Sequence, residues 1–437
     1  MFQYYLKLSL KSLRRNPILS ALMVTAIALG IGACMTILTV NYVMSSDPIP
    51  HKSDKLFYVQ LDSWDPYQPA REPNDPPDQI TWTDATNLMQ EKAAFRQAAM
   101  ASSNGVIEPA DQDSKPYLAS MRLTYSDFFS MFDVPFLYGS AWDAAADEQE
   151  QLVAVISKAT NDRNFGGENS VGQTLRVAGE NFRIVGVVDD WQPVPRFYDV
   201  TTGAFDDTEE VYLPLALKMP LELPSSGNVN CWKEPDGDGF IAFLQSECVN
   251  YQMWVELPSD ADKQRYMDFL DNYANQQKAL GRFPRPLNNK LSDVMQWMEY
   301  NNVVNDDAEV MLWLSFMFLA VCLLNTIGLL LAKFSTKASE IGLRRAVGAS
   351  RGDLFRQHLV ETAMIGLAGG LAGLGLAWLG LRGIEAIFGE FVSKMVHMDT
   401  NMIIVALALA LVSSILAGLY PTWRACNIAP AGQLKSQ

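Results

Sequence analysis

The sequence predicts an α-helical membrane protein with four transmembrane helices and one large α+β extracytoplasmic domain inserted between the first two. Three observations predict it. Residues 16–46, 310–332, 362–381 and 400–423 contain no Asp, Glu, Lys or Arg, and a helix of about 20 apolar residues at 1.5 Å per residue crosses a hydrocarbon core of ~30 Å. Charge is segregated as well. Residues 46–309 hold 43 acids against 20 bases, whereas the rest of the chain holds 6 acids against 14 bases. The bases outside the insert gather at alternate ends of the apolar runs, which sets an orientation.

Residues 1–16 set Phe2, Leu6, Leu10 and Leu13 against Lys7, Lys11 and Arg14, an amphipathic helix suited to the inner membrane surface. Residues 17–45 form the first span. Lys11, Arg14 and Arg15 also suit the start of a signal peptide, but the apolar stretch of residues 18–43 far exceeds a core of about 7–15 residues and no A-x-A-like site follows it. A retained anchor is predicted.

The insert, residues 46–309, alternates strand and helix signals. Tyr251, Met253, Val255 and Leu257 alternate with Gln252, Trp254 and Glu256, the pattern of a half-buried strand. Residues 174–188 read as a hairpin turning at Ala178-Gly179-Glu180-Asn181, with Phe182, Ile184 and Val188 on one face. Ser157 suits the N-cap of a short helix ending near Gly166-Gly167. Tyr266, Phe269, Leu270 and Tyr273 recur at helical spacing within residues 260–279. The insert's length favours two subdomains over one.

Residues 310–332 form the second span, 333–358 a basic loop, 359–381 the third span, 382–400 a short loop, 401–421 the fourth span and 422–437 a tail. Lys333, Lys337, Arg344, Arg345, Arg351 and Arg356 crowd the second-to-third loop; Arg382 and Lys394 in the next loop are outweighed by Glu385, Glu390 and Asp399. By the positive-inside rule both termini and the basic loop are cytoplasmic and the insert is outside. In the third span Gly366 and Gly370, overlapping with Gly369 and Gly373, make two G-x-x-x-G pairs suited to close helix packing.

Cysteine placement follows the same map. Cys34 and Cys322 fall in spans and Cys426 in the tail, leaving Cys231 and Cys248 in the insert around a Gly/Asp-rich loop. An oxidising compartment favours a bridge between them; two separate thiols are the alternative.

Catalytic signals fail. There is no G-x-x-x-x-G-K-[ST] phosphate loop. His51, His358 and His397 lie in three different regions, which disfavours a histidine-based zinc or catalytic site. Glu234, Asp236, Asp238 and Gly239 imitate part of a calcium loop, but its twelfth position is Gln245. Asp206-Asp207 and Glu209-Glu210 read as a solvated face. An insert this acidic disfavours nucleic acid as a partner. No enzyme activity is predicted, and no cofactor.

The basic loop is the informative segment. Ile341, Leu343, Ala346 and Val347 mark a short helix beside Arg344 and Arg345. Gly348 suits the left-handed residue that ends a helix, and Ser350 with Asp353 three residues on suits the cap that restarts one. The run Ser339-Glu340-Ile341-Gly342-Leu343-Arg344-Arg345-Ala346-Val347-Gly348-Ala349-Ser350 closely resembles the coupling-helix motif of FtsX-like/MacB-type ABC transporter permeases, the mechanotransmission family. Residues 154–157, 164–167, 171–175 and 182–188 resemble that family's periplasmic core domain. Pro421-Thr422-Trp423-Arg424-Ala425, with Pro430 and Leu434 beyond, resembles its C-terminal exit.

The resemblance implies a permease of the bacterial inner membrane, served by a separate cytoplasmic ABC ATPase dimer that binds ATP and magnesium. The coupling helix, Ser339 to Ala349, docks that ATPase. The other partners implied are a second permease copy or a homologous permease, a periplasmic adaptor with an outer-membrane channel, and membrane lipid. The implied task is export or extraction of a peptide, antibiotic, lipid or lipoprotein by movement of the periplasmic domain. Two other functions share parts of this pattern: an FtsX-type transmitter activating an external peptidoglycan hydrolase, and a non-transporting receptor. The insert is large for the first, and the arginine-bearing helix has no task in the second.

Overall fold

The computed structural model describes residues 2–72, 74–109, 115–303, 306–388 and 400–427. The chain divides into two compact units, residues 46–303 and the remainder. The second unit opens with α1 (Phe2–Arg15) and α2 (Pro17–Ser45).

The unit of residues 46–303 is built on a sheet of 12 strands. They are β1 (Leu56–Gln60), β2 (Ile80–Thr81), β3 (Arg96–Glu108), β4 (Tyr117–Thr124), β5 (Phe136–Gly139), β6 (Val153–Ser157), β7 (Thr174–Val177), β8 (Glu180–Val188), β9 (Val211–Pro214), β10 (Asn230–Cys231), β11 (Cys248–Glu256) and β12 (Lys290–Asp293). The main path runs β12-β1-β11-β3-β4-β9-β6-β8-β5; β2 and β10 add to β11, and β7 bridges β3 and β8. The helices used below are α3 (Trp82–Glu91), α4 (Asp127–Met131), α5 (Ala144–Glu148), α6 (Lys158–Phe165), α7 (Asp260–Ala279) and α8 (Val294–Tyr300).

Three sequence expectations need correction here. Strand β11 lies between β1 and β3 and is buried along its whole length. Its two faces feed different cores: Tyr251, Met253 and Val255 join an aliphatic cluster, and Trp254 an aromatic one with Tyr58, Trp297, Phe128 and Phe132. Alternation of apolar and polar residues there reflects two buried sides, with Gln252 hydrogen-bonded inside. The hairpin turn is only Ala178-Gly179, since Val177 already pairs with Glu180. Both turn residues have positive φ, 50° and 85°, as a two-residue hairpin loop of the right twist requires. Finally, Val188 does not share a face with Phe182 and Ile184. The pairing of β6 with β8 slips between Ala154 and Val155, and one extra residue reverses the alternation beyond it. Phe182 and Ile184 enter the aliphatic cluster, Val188 the aromatic one.

Ser157 caps α6, accepting from the Thr160 amide at 3.1 Å, and Gly166 ends it with φ +64°.

The other unit continues with α9 (Asp306–Thr336), α10 (Ala338–Ala346), α11 (Arg351–Phe388) and α12 (Thr400–Cys426). Among the described residues four helices are long and apolar enough to cross a membrane, over Pro17–Ser45, Ala308–Thr336, Arg351–Ile384 and Ile403–Cys426. Helix α12 continues through Pro421 to Cys426, so the proline removes one backbone donor without ending the helix. Glu390, Lys394, His397 and Asp399 of the preceding loop lie outside the described residues, as do Pro430, Leu434 and Lys435 of the tail.

Glycines set the packing of α11. A Cβ on Gly369 would stand 2.6 Å from Ile27 Cγ2, and one on Gly373 2.9 Å from Ile31 Cβ, both on α2. On the other side, Cβ atoms on Gly366 and Gly370 would run into Ser414 and Ala410 of α12. Bare backbone on two faces of one helix lets both neighbours approach it, the small-residue solution to helix association where lipid supplies no hydrophobic drive.

Candidate coupling site

Helix α10 is a short helix with a defined stop. Gly348 N–H donates to Arg345 O at 3.1 Å and Ala349 N–H to Arg344 O at 3.0 Å. Those two bonds close the last turn as a Schellman cap. Gly348 sits at φ +107°, a conformation that only glycine adopts without strain. Ser350 then accepts from the Asp353 amide at 3.1 Å and donates its own proton to Asp353 Oδ2 at 2.6 Å, starting α11. The helix is thus framed by a glycine stop and a serine start.

Contacts fasten it to the other helices of this unit. Ile341 is buried. Arg344 reaches Glu340 Oε1 at 2.8 Å and Gln357 Oε1 at 3.0 Å. Arg15 of α1 lies 3.5 Å from Glu340 Oε2, and Arg345 donates to Cys426 O of α12 at 3.4 Å. The arginines therefore brace the helix. On the outer side Leu343 and Val347, one turn apart, are 61% and 81% exposed.

Below this helix lies a buried ionic cluster that the sequence reading missed. Glu361 of α11 receives Lys333 Nζ at 2.8 Å and Lys337 Nζ at 3.4 Å, with His358 Nδ1 3.5 Å away. Ser12 of α1 donates to Glu361 and accepts from Lys337, and Lys333 reaches Ser20 of α2 at 3.4 Å. Lys333 is wholly buried and Glu361 nearly so. Burial pulls the Lys337 ammonium below the usual lysine range, against the opposing charge of Glu361, and the nearby Lys333 pulls the same way. One carboxylate thus joins α1, α9 and α11 at the root of α10. A signal existed in the sequence: Lys333 and Glu361 are the charged residues immediately bounding two apolar runs. In helix α1 Ser9 is buried and Leu10 exposed.

Ser339, Glu340, Ile341, Gly342, Leu343, Arg344, Arg345 and Ala346 share α10; Val347, Gly348 and Ala349 form its cap. Cys231 and Cys248, in the other unit, form a disulfide across the β10–β11 pair with Cα atoms 4.2 Å apart. The two groups belong to different units of the chain.

A second buried cluster lies in the 46–303 unit, and it corrects the solvated-face reading of Glu209. Arg122 Nε donates to Glu209 Oε1 at 3.1 Å and its NH2 to Asp199 Oδ2 at 2.6 Å, with Arg196 3.2 Å from Glu209 and the Tyr198 hydroxyl 2.9 Å from it. Ser102, Gln252, Thr201 and the Thr202 backbone amide also donate to Asp199. Burial alone would raise the Asp199 carboxyl, but Arg122 and Arg196 outweigh it and hold the group below its ordinary value. Arg122 occupies a strand position flanked by apolar neighbours, and its partners come from an acidic loop far along the chain. Among the described residues no group of three His, Cys, Asp or Glu side chains could hold a metal ion. Asp236 of the calcium-like loop instead pairs with Lys233 at 2.9 Å.

The MacB-like periplasmic core domain profile matches residues 20–272, and the FtsX-like permease C-terminal profile matches residues 312–430. The macrolide export ATP-binding/permease protein MacB of Bdellovibrio bacteriovorus is 20% identical over 303 residues, covering 68% of this chain and 41% of its own length. The pyoverdine export ATP-binding/permease protein PvdT of Pseudomonas syringae pv. tomato is 24% identical over 311 residues, covering 71% and 42%. The crystal structure of the periplasmic region of MacB from Actinobacillus actinomycetemcomitans aligns at 14% identity with a TM-score of 0.36, over 58% of this chain and 94% of that one. The chain spans about two fifths of the length of the curated relatives it matches. With its periplasmic core domain and its multi-pass membrane unit, the chain belongs to the MacB/FtsX-like family of ABC transporter permeases.

Proposed function

We propose that this chain is the non-catalytic permease subunit of an ABC transporter in the bacterial inner membrane, driven by a separate cytoplasmic ATPase that binds ATP and magnesium. The observation that carries the reading is α10: a capped helix, braced on its inner side by Ile341 and Arg344, that leaves Leu343 and Val347 bare. Two exposed apolar side chains one turn apart, rimmed by Arg344, Arg345 and Glu340, suit a groove on a partner protein. The positive-inside rule places this helix and both termini in the cytoplasm and residues 46–303 in the periplasm. Two permease copies, or this chain with a homologous permease, would bring two such helices to an ATPase dimer. Closure of that dimer would shift the helices, and the spans would carry the shift to the periplasmic domains, moving a substrate outside the membrane. A periplasmic adaptor and an outer-membrane channel fit the same scheme.

The test is co-purification in mild detergent with ATPase turnover as the second readout. Wild type is expected to retain an ATP-hydrolysing subunit. Leu343→Glu and Val347→Glu, both at exposed positions, should each release it or lower permease-stimulated hydrolysis by roughly tenfold or more, as expected of an apolar hot spot. Retention of full binding and stimulation by both variants would overturn the docking role.

A further inference from the structure

A pocket of about 170 Å³ opens between α1, α10 and the start of α11. Neither Leu343 nor Val347 lines it, so the docking role leaves it unused. Its charge is one-sided: Lys11, Arg15, Lys337 and Arg344 line it against a single carboxylate, Glu340.

That carboxylate is already divided, between Arg15 at 3.5 Å and Arg344 at 2.8 Å. Behind it Glu361 is shared in turn by Lys337 and the wholly buried Lys333. Asp353, at the start of α11, is engaged by Ser350 and the Tyr5 hydroxyl and does not line the pocket. Lys11 pairs with no carboxylate among the described residues. Lys337 keeps only 14% of its side chain exposed and Arg344 36%. Cations this sheltered attract an anion more strongly than cations in open water do.

The pocket also lies where three spans begin or end. Arg15 stands just ahead of the span Pro17–Ser45, Lys337 directly follows the one ending at Thr336, and Leu354 lies in the first turn of Arg351–Ile384. That is headgroup depth, and Leu8, Ile341 and Leu354 give the pocket apolar wall beside its cations.

We infer that this pocket binds a phosphate group, and that its carrier is an anionic phospholipid of the leaflet that faces α10. Two guanidinium forks and two ammonium groups match the oxygens of a phosphodiester, and basic pockets between spans at a membrane surface suit anionic headgroups. The glycerol end of the headgroup lies against the apolar wall. Bound there, one lipid contacts α1, α10 and α11 together and supplies the negative charge that Glu340 and Glu361 leave short.

The test titrates the full chain in mild detergent with dioleoylphosphatidylglycerol and, separately, with dioleoylphosphatidylcholine, counting bound lipid by native mass spectrometry. The two share their acyl chains and their phosphate and differ in net charge. The first phosphatidylglycerol should bind roughly tenfold or more tighter than phosphatidylcholine. Lys11→Gln, at an exposed position, should cut that preference roughly fivefold, the effect of one cation near a membrane surface. Arg14→Gln removes the same charge from the same helix outside the pocket and should leave the preference unchanged. Equal affinity for the two lipids in the wild-type chain overturns the inference. Equal losses in the two variants overturn it as well, because diffuse surface charge would then account for the preference. Inorganic phosphate in millimolar excess should not displace the lipid; displacement would assign the pocket to a soluble phosphate and overturn the lipid as its carrier. The wild-type comparison decides even where a variant is unstable. The inference takes from the functional reading only that α1 and α10 lie at a membrane surface. Its outcome is read on the permease alone, so a failure of ATPase docking leaves it untouched.

Discussion

The two buried ionic clusters are built from the same kinds of groups to different ends. In the periplasmic core domain Arg122 and Arg196 face Asp199 and Glu209, two cations against two carboxylates. Tyr198 donates a further hydrogen bond to Glu209, and Ser102 and Gln252 donate to Asp199. In the membrane unit a single carboxylate, Glu361, serves Lys333, Lys337 and a histidine edge. The first is balanced and enclosed within one fold. The second carries an excess of positive charge and joins three helices at the foot of a fourth. A balanced network resists any rearrangement, since each group leaving it strands another in low dielectric. A carboxylate shared among several cations can trade one partner for another, which suits a joint between elements that must shift.

Removal of Arg122 should give the largest effect. Arg122→Met leaves Asp199 and Glu209 buried with only Arg196 to balance them, a loss of ~3–5 kcal/mol. Tryptophan fluorescence of the full chain in detergent during thermal unfolding reports this, because seven of its ten tryptophans lie in residues 46–303. A shift worth under ~1 kcal/mol would show that the network does not order that core.

Glu361→Gln should follow, at ~3 kcal/mol, since it leaves Lys333 with only Ser20 and a neutral amide. Its more telling effect is on coupling: permease-stimulated ATP hydrolysis should fall while ATPase co-purification persists. Lys333→Met combined with Glu361→Met should restore stability without restoring stimulation. Recovery of both would make the cluster merely structural.

The smallest effect sharpens the contrast through pH. Asp199 is held low by its arginines, so its contribution is fully present above the unfolded carboxylate pKa of about 4 and is lost as pH falls through the folded value. Among the described residues Asp147 has no such cation, and burial pushes it up to about 6, against the Ser126 and Trp142 hydrogen bonds and with help from Asp127. Its folded form binds a proton more tightly than the unfolded chain between about pH 4 and 6. Stability from this group therefore rises as pH falls across that window, by ~2 kcal/mol. Unfolding midpoints of wild type and Asp147→Asn at pH 7 and pH 4.5 check the sign: the variant should lose that gain. An identical pH profile in both would place the carboxyl in water.

Much of this was legible in one sequence because lipid permits so few solutions. Charge-free runs, the basic loop and the glycine after Arg345 each have one strong physical reading, and Gly348 takes the left-handed form that its place demands. The buried charges were harder to read. Arg122 and Glu209 are 87 residues apart, and nothing local distinguishes a carboxylate in water from one that a distant strand has covered. Val188 failed for a similar reason, since the slip beside Val155 belongs to the pairing of two strands and leaves no mark in either alone. The candidate site was half visible: the helix by its motif, its ionic root only as charges at the edges of apolar runs.

The glycine faces of α11 have a kinematic consequence. Ile27 and Ile31, one turn apart on α2, seat in notches at Gly369 and Gly373, and Ser414 and Ala410 seat likewise at Gly366 and Gly370. A helix so notched cannot glide along its axis by a fraction of a turn; its next register lies a full ~5.4 Å away. Tilting about the notches keeps every seat filled. Whatever displacement enters at α10 must therefore leave the three helices α2, α11 and α12 as a change of angle, with their sliding freedom removed by the absence of four side chains.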